Sequence, residues 1–408
     1  MAETGIIHAK AAKTRVGSRW SLGILLVCIG PIGTLLTGWP VPACALNFEG
    51  IQVTPSLAYT GEYDDNLFRT QTNPSTDFVN TVSPGIAVEA RPAKHILTAD
   101  FRADILRYVN NPDLDTVRYF ANLSTIFNFN RLQLRLKENF ARTDDFPSSQ
   151  LLQRIPRTEN YLSGGFDYDI SRLWGIGFDF TWRNTYYLDH AFDSLSLNSY
   201  LPAVNLYYRL SPKTRVFAGF GLYEEIYPYD NIRNNSRYRP ILGASGDLTE
   251  RFSVTGTVGY EYISMHNSSE SSTNQGNLLA SLEATYRPME PIRIGLLLKS
   301  GVETSDLEGN LFYTYYILAL TCTYAFTSKI LIIPAASFEV DRYRESSLND
   351  GIFEKRLDYI YRAGIGIRYT IQKWIRLDVG YSFERRDSNF TGGSYNDNRV
   401  SFSIAFSI

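Results

Sequence analysis

Apolar and polar residues alternate strictly over long stretches of the chain. In residues 97–105 the odd positions are apolar, and the even positions include two aspartates and an arginine. The same pattern recurs in residues 132–137, 174–183, 357–369 and 375–384. Because successive side chains of a strand point to opposite faces, this period of two predicts strands with one apolar and one polar face.

Short turns and longer polar loops separate these strands in a regular order. The tight turns lie near residues 92, 130, 172, 212, 250, 289, 328 and 372. Longer breaks rich in Asp, Asn and Ser are predicted at residues 64–76, 109–115, 144–157, 188–194, 228–236, 266–275, 305–310, 344–355 and 385–397. Each unit of about 40 residues therefore contains a turn, a strand, a long loop and a second strand.

This unit favours an outer-membrane barrel over a propeller. A propeller blade of similar length holds four strands, whereas each unit here holds two strands of about 11–16 residues. Such strands can cross the apolar band of an outer membrane, about 25 Å tall, and short turns opposite long loops are typical of these barrels. Because lipid offers no hydrogen-bond partners, the sheet must close.

The turn count sets the strand number. Eight turns and two chain ends on one side predict 18 strands, with 16 as the alternative if one hairpin is miscounted. We therefore predict an all-β fold, a transmembrane antiparallel up-and-down β-barrel over residues 46–408 with both termini in the periplasm.

The stretch 195–210 is the least regular of the predicted strands. Its early leucines, up to Leu201, lie on one parity, and its later apolar residues, from Val204 to Tyr208, lie on the other. A β-bulge near Pro202 would bring both groups to the same face.

Residues 1–45 resemble a secretory signal peptide. Four basic residues precede the apolar run 22–36, and the small-residue site Ala43-Cys44-Ala45 follows it. A membrane anchor is the alternative, but Gly30-Pro31 interrupts the apolar run. Lipidation at Cys44 is a minor alternative, because Pro42 fits a lipoprotein box poorly.

Composition excludes several classes of protein. The 28 Tyr and 24 Phe favour β structure. With 40 Lys and Arg against 42 Asp and Glu, the chain has no basic excess with which to bind nucleic acid. Three Cys cannot build a disulfide scaffold, and only one apolar stretch approaches the length of a membrane-spanning helix.

The polar parity of the strands supplies candidate residues that line the lumen. They are Asp100, Arg102, Asp104, Arg135, Lys137, Asp179, Arg183, Glu261, Glu283, Arg293, Lys299, Arg356, Asp358, Arg362, Arg368, Arg376, Asp378 and Glu384. One interpretation is that opposite charges pair across neighbouring strands and simply line water. The other interpretation is that these charges create a transverse electric field across the lumen, or that Arg and aromatic residues form a track that binds sugar hydroxyls and carboxylates.

No catalytic, metal or cofactor site is predicted. His190 and His266 lie in different loops, and the nearest approach to a triad, His266-Asn-Ser268, is better explained as solvated loop. The Asp- and Asn-rich loops lack the spacing of a calcium loop. Paired aromatic residues near strand ends, such as Tyr186-Tyr187 and Tyr315-Tyr316, are explained as interface girdles.

The first predicted hairpin resembles a known family. Asp65-Asn66-Leu67-Phe68 and Ser83-Pro84-Gly85 resemble signatures of the β-barrel porin 2 family. The resemblance implies an outer-membrane channel without established catalytic residues. In some members it implies a link to gene clusters for exopolysaccharide or PEP-CTERM proteins and to polysaccharide export.

These observations lead to three hypotheses. The leading one is a non-enzymatic, porin-like channel in the bacterial outer membrane that serves as the exit for an exopolysaccharide and needs a periplasmic polysaccharide-export partner. The second is a structural or adhesive envelope barrel without an open pore, and the third is a barrel-embedded lipid hydrolase. Outer-membrane lipid is an expected partner, as is the barrel-assembly machinery, which would recognise the final alternating strand 400–408.

Overall fold

The computed structural model describes residues 46–48, 50–266, 275–307 and 310–407. The predicted signal peptide lies outside these ranges. The strands are β1 (Leu46–Phe48), β2 (Ile51–Asp64), β3 (Asp77–Ala90), β4 (Ile96–Tyr108), β5 (Thr116–Asn128), β6 (Leu132–Thr143), β7 (Arg157–Asp169), β8 (Trp174–Tyr187), β9 (Leu197–Ser211), β10 (Thr214–Ile226), β11 (Asn235–Asp247), β12 (Phe252–Met265), β13 (Gln275–Met289), β14 (Ile292–Thr304), β15 (Phe312–Ala325), β16 (Ile330–Asn349), β17 (Ile352–Gln372), β18 (Ile375–Ser388) and β19 (Tyr395–Ser407). Short 3-10 helices occur at Pro112–Leu114, His190–Leu195 and Asn231–Arg233.

The long strands close into a barrel. From β2 to β19 each strand pairs antiparallel with the next one in the chain. The last strand then pairs with β2, from Arg399 opposite Asp64 to Ser407 opposite Ser56. The ring therefore has 18 strands, which confirms the predicted count against the alternative of 16. The three-residue β1 pairs with the start of β2, beyond the end of β19. No helix within the described ranges is long and apolar enough to span a membrane.

All eight tight turns lie where the sequence places them, but one predicted long loop is wrong. Instead of a break at 344–355, β16 and β17 continue to a two-residue turn at Asp350-Gly351. Both turn residues have positive φ, 47° and 86°. A two-residue hairpin turn of this kind favours Asp-Gly, since glycine adopts positive φ without strain. The hairpin therefore extends beyond its neighbours.

The bulge predicted near Pro202 is also wrong. The pairing of β9 with β8 keeps one register from Trp174–Tyr208 to Thr185–Leu197. Leu197 and Leu201 are instead buried on the inner face. The leucines on the polar parity thus belong to inward packing at the loop end and do not mark an irregular strand.

Side chains alternate between an exposed outer face and an enclosed inner face. On β17, for example, Tyr359, Tyr361 and Ile365 are exposed, whereas Asp358 and Ile360 are fully buried. Buried apolar clusters lie at the long-loop end, one around Leu67 and Leu106 and another around Ile263 and Phe312. A third cluster of Tyr207, Phe217 and Ile241 lies towards the turn end, so buried apolar packing is not confined to the long-loop half of the barrel.

Candidate functional site: the barrel interior

All eighteen charged residues predicted to line the lumen lie at strand positions opposite to the exposed apolar side chains. They come from β4 (Asp100, Arg102, Asp104), β6 (Arg135, Lys137), β8 (Asp179, Arg183), β12 (Glu261), β13 (Glu283), β14 (Arg293, Lys299), β17 (Arg356, Asp358, Arg362, Arg368) and β18 (Arg376, Asp378, Glu384). Whether they contact a solute stays a prediction.

Arg362 shows how the inner charges are arranged. Its guanidinium on β17 bridges Glu339 on β16 at 2.7 Å and Glu384 on β18 at 3.0 Å. Glu384 in turn lies 3.3 Å from Arg69, which belongs to the loop after β2. A chain of alternating charges thus crosses three strands and reaches the loop end, where each charge is partly compensated by its neighbour.

Other inner charges pair in the same way. The pairs are Arg102–Asp104, Arg135–Asp179, Arg239–Glu261, Arg356–Asp358, Arg368–Asp378 and Arg376–Asp378. Arg239–Glu261 and Arg368–Asp378 pair across neighbouring strands, as one interpretation predicts, whereas Arg102–Asp104, Arg356–Asp358 and Arg376–Asp378 pair along a single strand. In the described part of the chain, Lys137, Arg183, Glu283 and Arg293 have no carboxylate or basic partner within 4 Å, and Lys299 lies 5.1 Å from the ring of Tyr315.

The two ends of the barrel differ in accessibility. Inner charges near the short turns, such as Asp100, Lys137 and Arg293, are exposed. Inner charges near the long loops, such as Glu261 and Asp358, are fully buried. The interior is therefore more accessible at the turn end than at the loop end, although the paired Arg368 and Asp378 near the turn at residue 372 are buried as well.

The loop between β6 and β7, residues 144–156, closes the loop end; we call it the mouth loop. The Ser149 hydroxyl lies 3.5 Å from Asp341 on β16, and Arg386 on β18 donates to the Ser149 carbonyl. In a ring of 18 strands, β16 lies nine strands from β7. The mouth loop therefore crosses the opening and is held by the opposite wall.

The Gln150 side chain forms the best-defined of these attachments. Its Oε1 accepts hydrogen bonds of 2.8 Å from the Ser305 hydroxyl and from the Asp306 backbone N–H, both in the loop after β14. Gln150 is buried and Ser305 is fully buried. The two loops thus meet over the lumen.

Arg154 gives the mouth loop a cation without a paired carboxylate. Its guanidinium lies over the rings of Phe146 and Tyr108, at 5.1 and 5.7 Å. Burial lowers the pKa of this guanidinium, although an arginine stays protonated at neutral pH. Its Nε has no hydrogen-bond partner within the described ranges.

The tip of the β14–β15 hairpin folds into the barrel. The pairing of β13 with β14 ends at Ala280–Ser300. Beyond that point β14 meets Arg237 of β11, whose guanidinium donates to the Val302 carbonyl at 3.0 Å and pairs with Glu225 at 2.6 Å. The wall is therefore indented here, which narrows the lumen.

Six inward tyrosines surround the closed end; we call them the tyrosine collar. They are Tyr108, Tyr187, Tyr223, Tyr315, Tyr343 and Tyr395, and all are buried. Cations lie over five of these rings, for example Arg239 over Tyr223 at 4.6 Å and Arg356 over Tyr343 at 5.2 Å. The girdle interpretation therefore applies to Tyr186 and Tyr316, which are exposed, but not to their neighbours on the inner face.

The signature Asp65-Asn66-Leu67-Phe68 fastens the seam where the barrel closes. The Asn66 side chain donates to the Asn396 carbonyl on β19 at 2.7 Å and to the Thr70 carbonyl at 2.8 Å, and it accepts from the Thr70 N–H at 2.9 Å. Asp65 accepts from the Asn398 backbone and side chain. This residue pattern thus joins the first loop to the last strand.

An acidic group near the seam does not form a cation site by itself. The carboxylates of Asp64, Asp65 and Asp397 lie close together. However, Arg399 lies 3.2 Å from Asp64 and pairs with Asp397. Because arginine already compensates the two buried acids, the group is explained as part of the seam.

His266 contacts a serine and a carboxylate, but without the geometry of a triad. Its Nε2 lies 2.7 Å from the Ser236 hydroxyl and 3.2 Å from Glu224. In a triad the acid holds the other ring nitrogen. Here the Ser236 hydroxyl and the Glu224 carboxylate both contact Nε2. Ser268 lies outside the described ranges, and the ring of His190 lies 3.1 Å from Asp193.

Comparison with known proteins identifies the family. The family model described as "Putative beta-barrel porin 2" matches residues 51–407. The chain belongs to this family. It is therefore an outer-membrane β-barrel protein of the porin type, as the resemblance in the first hairpin predicts.

Solved structures show similar folds. OccAB3 of Acinetobacter baumannii has 10% identity and a TM-score of 0.47, with 88% of this chain and 100% of that chain covered. OccK2 (OpdF) of Pseudomonas aeruginosa has 11% identity and a TM-score of 0.47, with 88% and 99% covered. No curated protein sequence matches the chain.

Sequence reasoning missed the residues that close the loop end. It treated residues 144–157 as a polar break, although Phe146, Leu151, Leu152 and Ile155 interrupt its polarity. Ile155 is almost fully buried. Apolar residues within a long loop were the available signal that this loop turns inwards.

Proposed function

We propose that this porin-type barrel is the outer-membrane exit for an exopolysaccharide and is closed at rest by the mouth loop. The observation that carries the proposal is the mouth loop itself, which crosses the lumen and is held by Asp341 and Arg386 on the opposite wall. A charged vestibule open at the turn end would receive the polymer. Release of the mouth loop would open the other end.

The chemistry around the mouth loop supports a sugar polymer as cargo. The rings of the tyrosine collar offer apolar faces on which the C–H faces of sugar rings can pack. Arginines such as Arg239 and Arg356 lie against these rings and pair with Glu261 and Asp358, so a carboxylate of the polymer would have to replace those partners to form two parallel hydrogen bonds. Arg154 adds a cation without a paired carboxylate. An acidic polysaccharide therefore suits this surface better than a neutral one.

We also propose that the barrel is not an enzyme and that export needs a periplasmic partner. The contacts of His266 support the first point, because Ser236 and Glu224 both meet its Nε2. The exposed inner charges at the turn end support the second, since they leave that opening accessible to a partner. Assembly through strand 400–408 belongs to the same proposal.

Planar-bilayer recording tests the channel. We expect low conductance from the purified wild-type barrel and a large, stable conductance when residues 146–153 are replaced by a Gly-Ser linker that leaves Arg154 in place. Oligomers of an acidic uronic-acid polymer should then block the current more strongly than neutral dextran oligomers. No conductance from a folded barrel with the replaced loop would contradict the channel and favour a structural or adhesive envelope barrel.

The choice of cargo has its own control. Arg154→Gln added to the linker variant removes the cation from the open channel, so block by the acidic oligomers should weaken to the level of the neutral ones. Equal block by acidic and neutral oligomers would leave the channel intact but refute an acidic polymer as its cargo. Export of polysaccharide by cells, compared between wild type and a deletion strain, tests the role in vivo.

A further inference from the structure

The inward fold of the β14–β15 tip leaves a groove on the outer face of the barrel. This lipid-facing groove lies across β11 to β16 and has a volume of about 800 Å³. Sites for small ligands are typically about 300 to 1,000 Å³. Its floor is formed by small residues, Gly256, Ala280 and Ser300, and its sides by larger ones such as Leu298 and Phe338.

Two arginines lie at the loop end of the groove. Arg342 is exposed on the outward parity of β16, next to the groove residue Val340, with its guanidinium 5.5 Å from the ring of Tyr316. Arg344 donates to the side chain of Asn277 on β13, across the gap that the indented hairpin leaves. Within the described ranges neither arginine has a carboxylate within 4 Å.

The position of Arg342 along the membrane normal is at the level of the membrane surface. It lies twelve residues beyond Ile330, the first residue of β16 at the turn end. At a rise of about 3.3 Å per residue and a tilt of about 40°, that distance corresponds to about 30 Å along the membrane normal. The apolar band is about 25 Å tall, so the guanidinium reaches the level of the headgroups.

We propose that the lipid-facing groove binds one lipid A molecule of the outer leaflet, with an acyl chain on the Gly256–Ala280 floor and a phosphate at Arg342 and Arg344. The charges at the end of the lipid-facing groove indicate which molecule binds there. The apolar groove ends at two cations on the loop side, which is the side that faces outwards in such barrels, and lipid A carries acyl chains beneath phosphates. A second copy of the chain would have to bury Arg342 without a partner.

Gly256 provides a selective test. A Cβ at this position would meet only the Leu282 side chain at 3.6 Å and the Ser281 carbonyl at 4.0 Å, which are ordinary contacts. Gly256→Leu should therefore fill the groove without disturbing the wall. Gly164 on β7 has a similarly open environment, with Leu136 at 3.7 Å. Gly164→Leu is the matched control, because it adds the same bulk to the outer face elsewhere.

The experiment is native mass spectrometry of the processed protein in detergent with Kdo2–lipid A. Wild type and Gly164→Leu should each carry one lipid, whereas Gly256→Leu and Arg342→Gln should bind about tenfold more weakly, as expected for loss of a charge-assisted contact or of the cavity. Arg385→Gln is the control for charge, since Arg385 is outward but already pairs with Asp387 at 2.8 Å. Heat-modifiable migration on gels verifies folding, and Ala280→Leu replaces Gly256→Leu if that variant fails to fold.

Three results would overturn the proposal. They are equal binding of phosphatidylethanolamine by wild type, unchanged lipid A binding by both groove-filling variants, or a wild-type dimer that Gly256→Leu dissociates. Bilayer conductance should not change in Gly256→Leu, because the groove lies outside the lumen. The outcome of the lipid-binding experiment is therefore independent of whether the proposed channel exists.

Discussion

The attachment of the mouth loop at Gln150 gives a quantitative prediction about opening. Gln150→Ala removes the acceptor of two hydrogen bonds of 2.8 Å, from the Ser305 hydroxyl and the Asp306 N–H. Both are enclosed, since Gln150 is 5% and Ser305 0% exposed. The substitution should affect the closed state alone, because an open loop would leave these groups in water.

The size of the effect follows from the net value of a hydrogen bond. At about 1 kcal/mol each, two bonds stabilise the closed mouth by about 2 kcal/mol. Because 1.4 kcal/mol corresponds to a factor of ten, the ratio of open to closed channels should rise about thirtyfold. If the Asp306 N–H stays buried without an acceptor in the variant, the closed state loses more free energy and the open-to-closed ratio rises further.

Single-channel recording at fixed voltage measures that ratio. Gln133→Ala is the matched control, because Gln133 lies on the inner face at the turn end and bonds there to Asn128 at 2.7 Å and to Arg135 at 3.5 Å, away from the mouth loop. Gln150→Ala should raise the open probability strongly and Gln133→Ala should not. A change of less than about threefold in Gln150→Ala, or an equal change in both variants, would refute the mouth loop as the closing element.

Three further predictions concern the seam between β2 and β19, the long β16–β17 hairpin and catalysis. Asn66→Ala should lower the free energy of unfolding by about 3 kcal/mol through the loss of four hydrogen bonds, of which the one from the Thr70 hydroxyl is long at 3.4 Å. Urea titration in lipid vesicles measures this loss. Asn110→Ala, which removes one exposed bond, should cost less than about 1 kcal/mol, and equal effects of the two substitutions would reject the seam assignment. Gly351→Val should cost about 1–2 kcal/mol in the same titration, because a β-branched residue is strained at φ 86°, and an unchanged midpoint would mean that the turn relaxes. Purified wild type and His266→Ala should show the same background release of fatty acid from phospholipid, and activity lost only in the variant would restore the hydrolase hypothesis.

The seam signature depends on particular residue types more than the outer face of the barrel does. Asp65 and Asn66 use side-chain hydrogen bonds to fix β19 beside β2, and such bonds need those residue types in that order. Leu67 packs beneath them and is 1% exposed. Elsewhere on the outer face, many apolar residues would satisfy the same requirement for contact with lipid.

The sequence by itself determined the barrel, its strand count and the face of each charged residue. Period-two alternation defines the two faces, and the spacing of eight short turns counts the strands, because lipid forces the backbone to pair within a closed sheet. Thus Arg362 and Glu384 could be assigned to the inner face from parity alone. Asp350-Gly351 and the Leu197–Leu201 stretch misled, since a two-residue turn and inward leucines break the local pattern. The girdle interpretation also failed for Tyr187 and Tyr315, which are buried on the inner face.

Only the tertiary structure decided what closes the barrel and what lies on its outside. The contact of Ser149 with Asp341 joins residues 192 positions apart in the chain, and it depends on where the ring brings β16 opposite β7. The end of β13–β14 pairing at Ala280–Ser300 likewise creates the lipid-facing groove. Alternation specifies which face a side chain takes, but not how far a loop reaches across the lumen or where the wall bends, because those depend on contacts between strands that are distant in sequence.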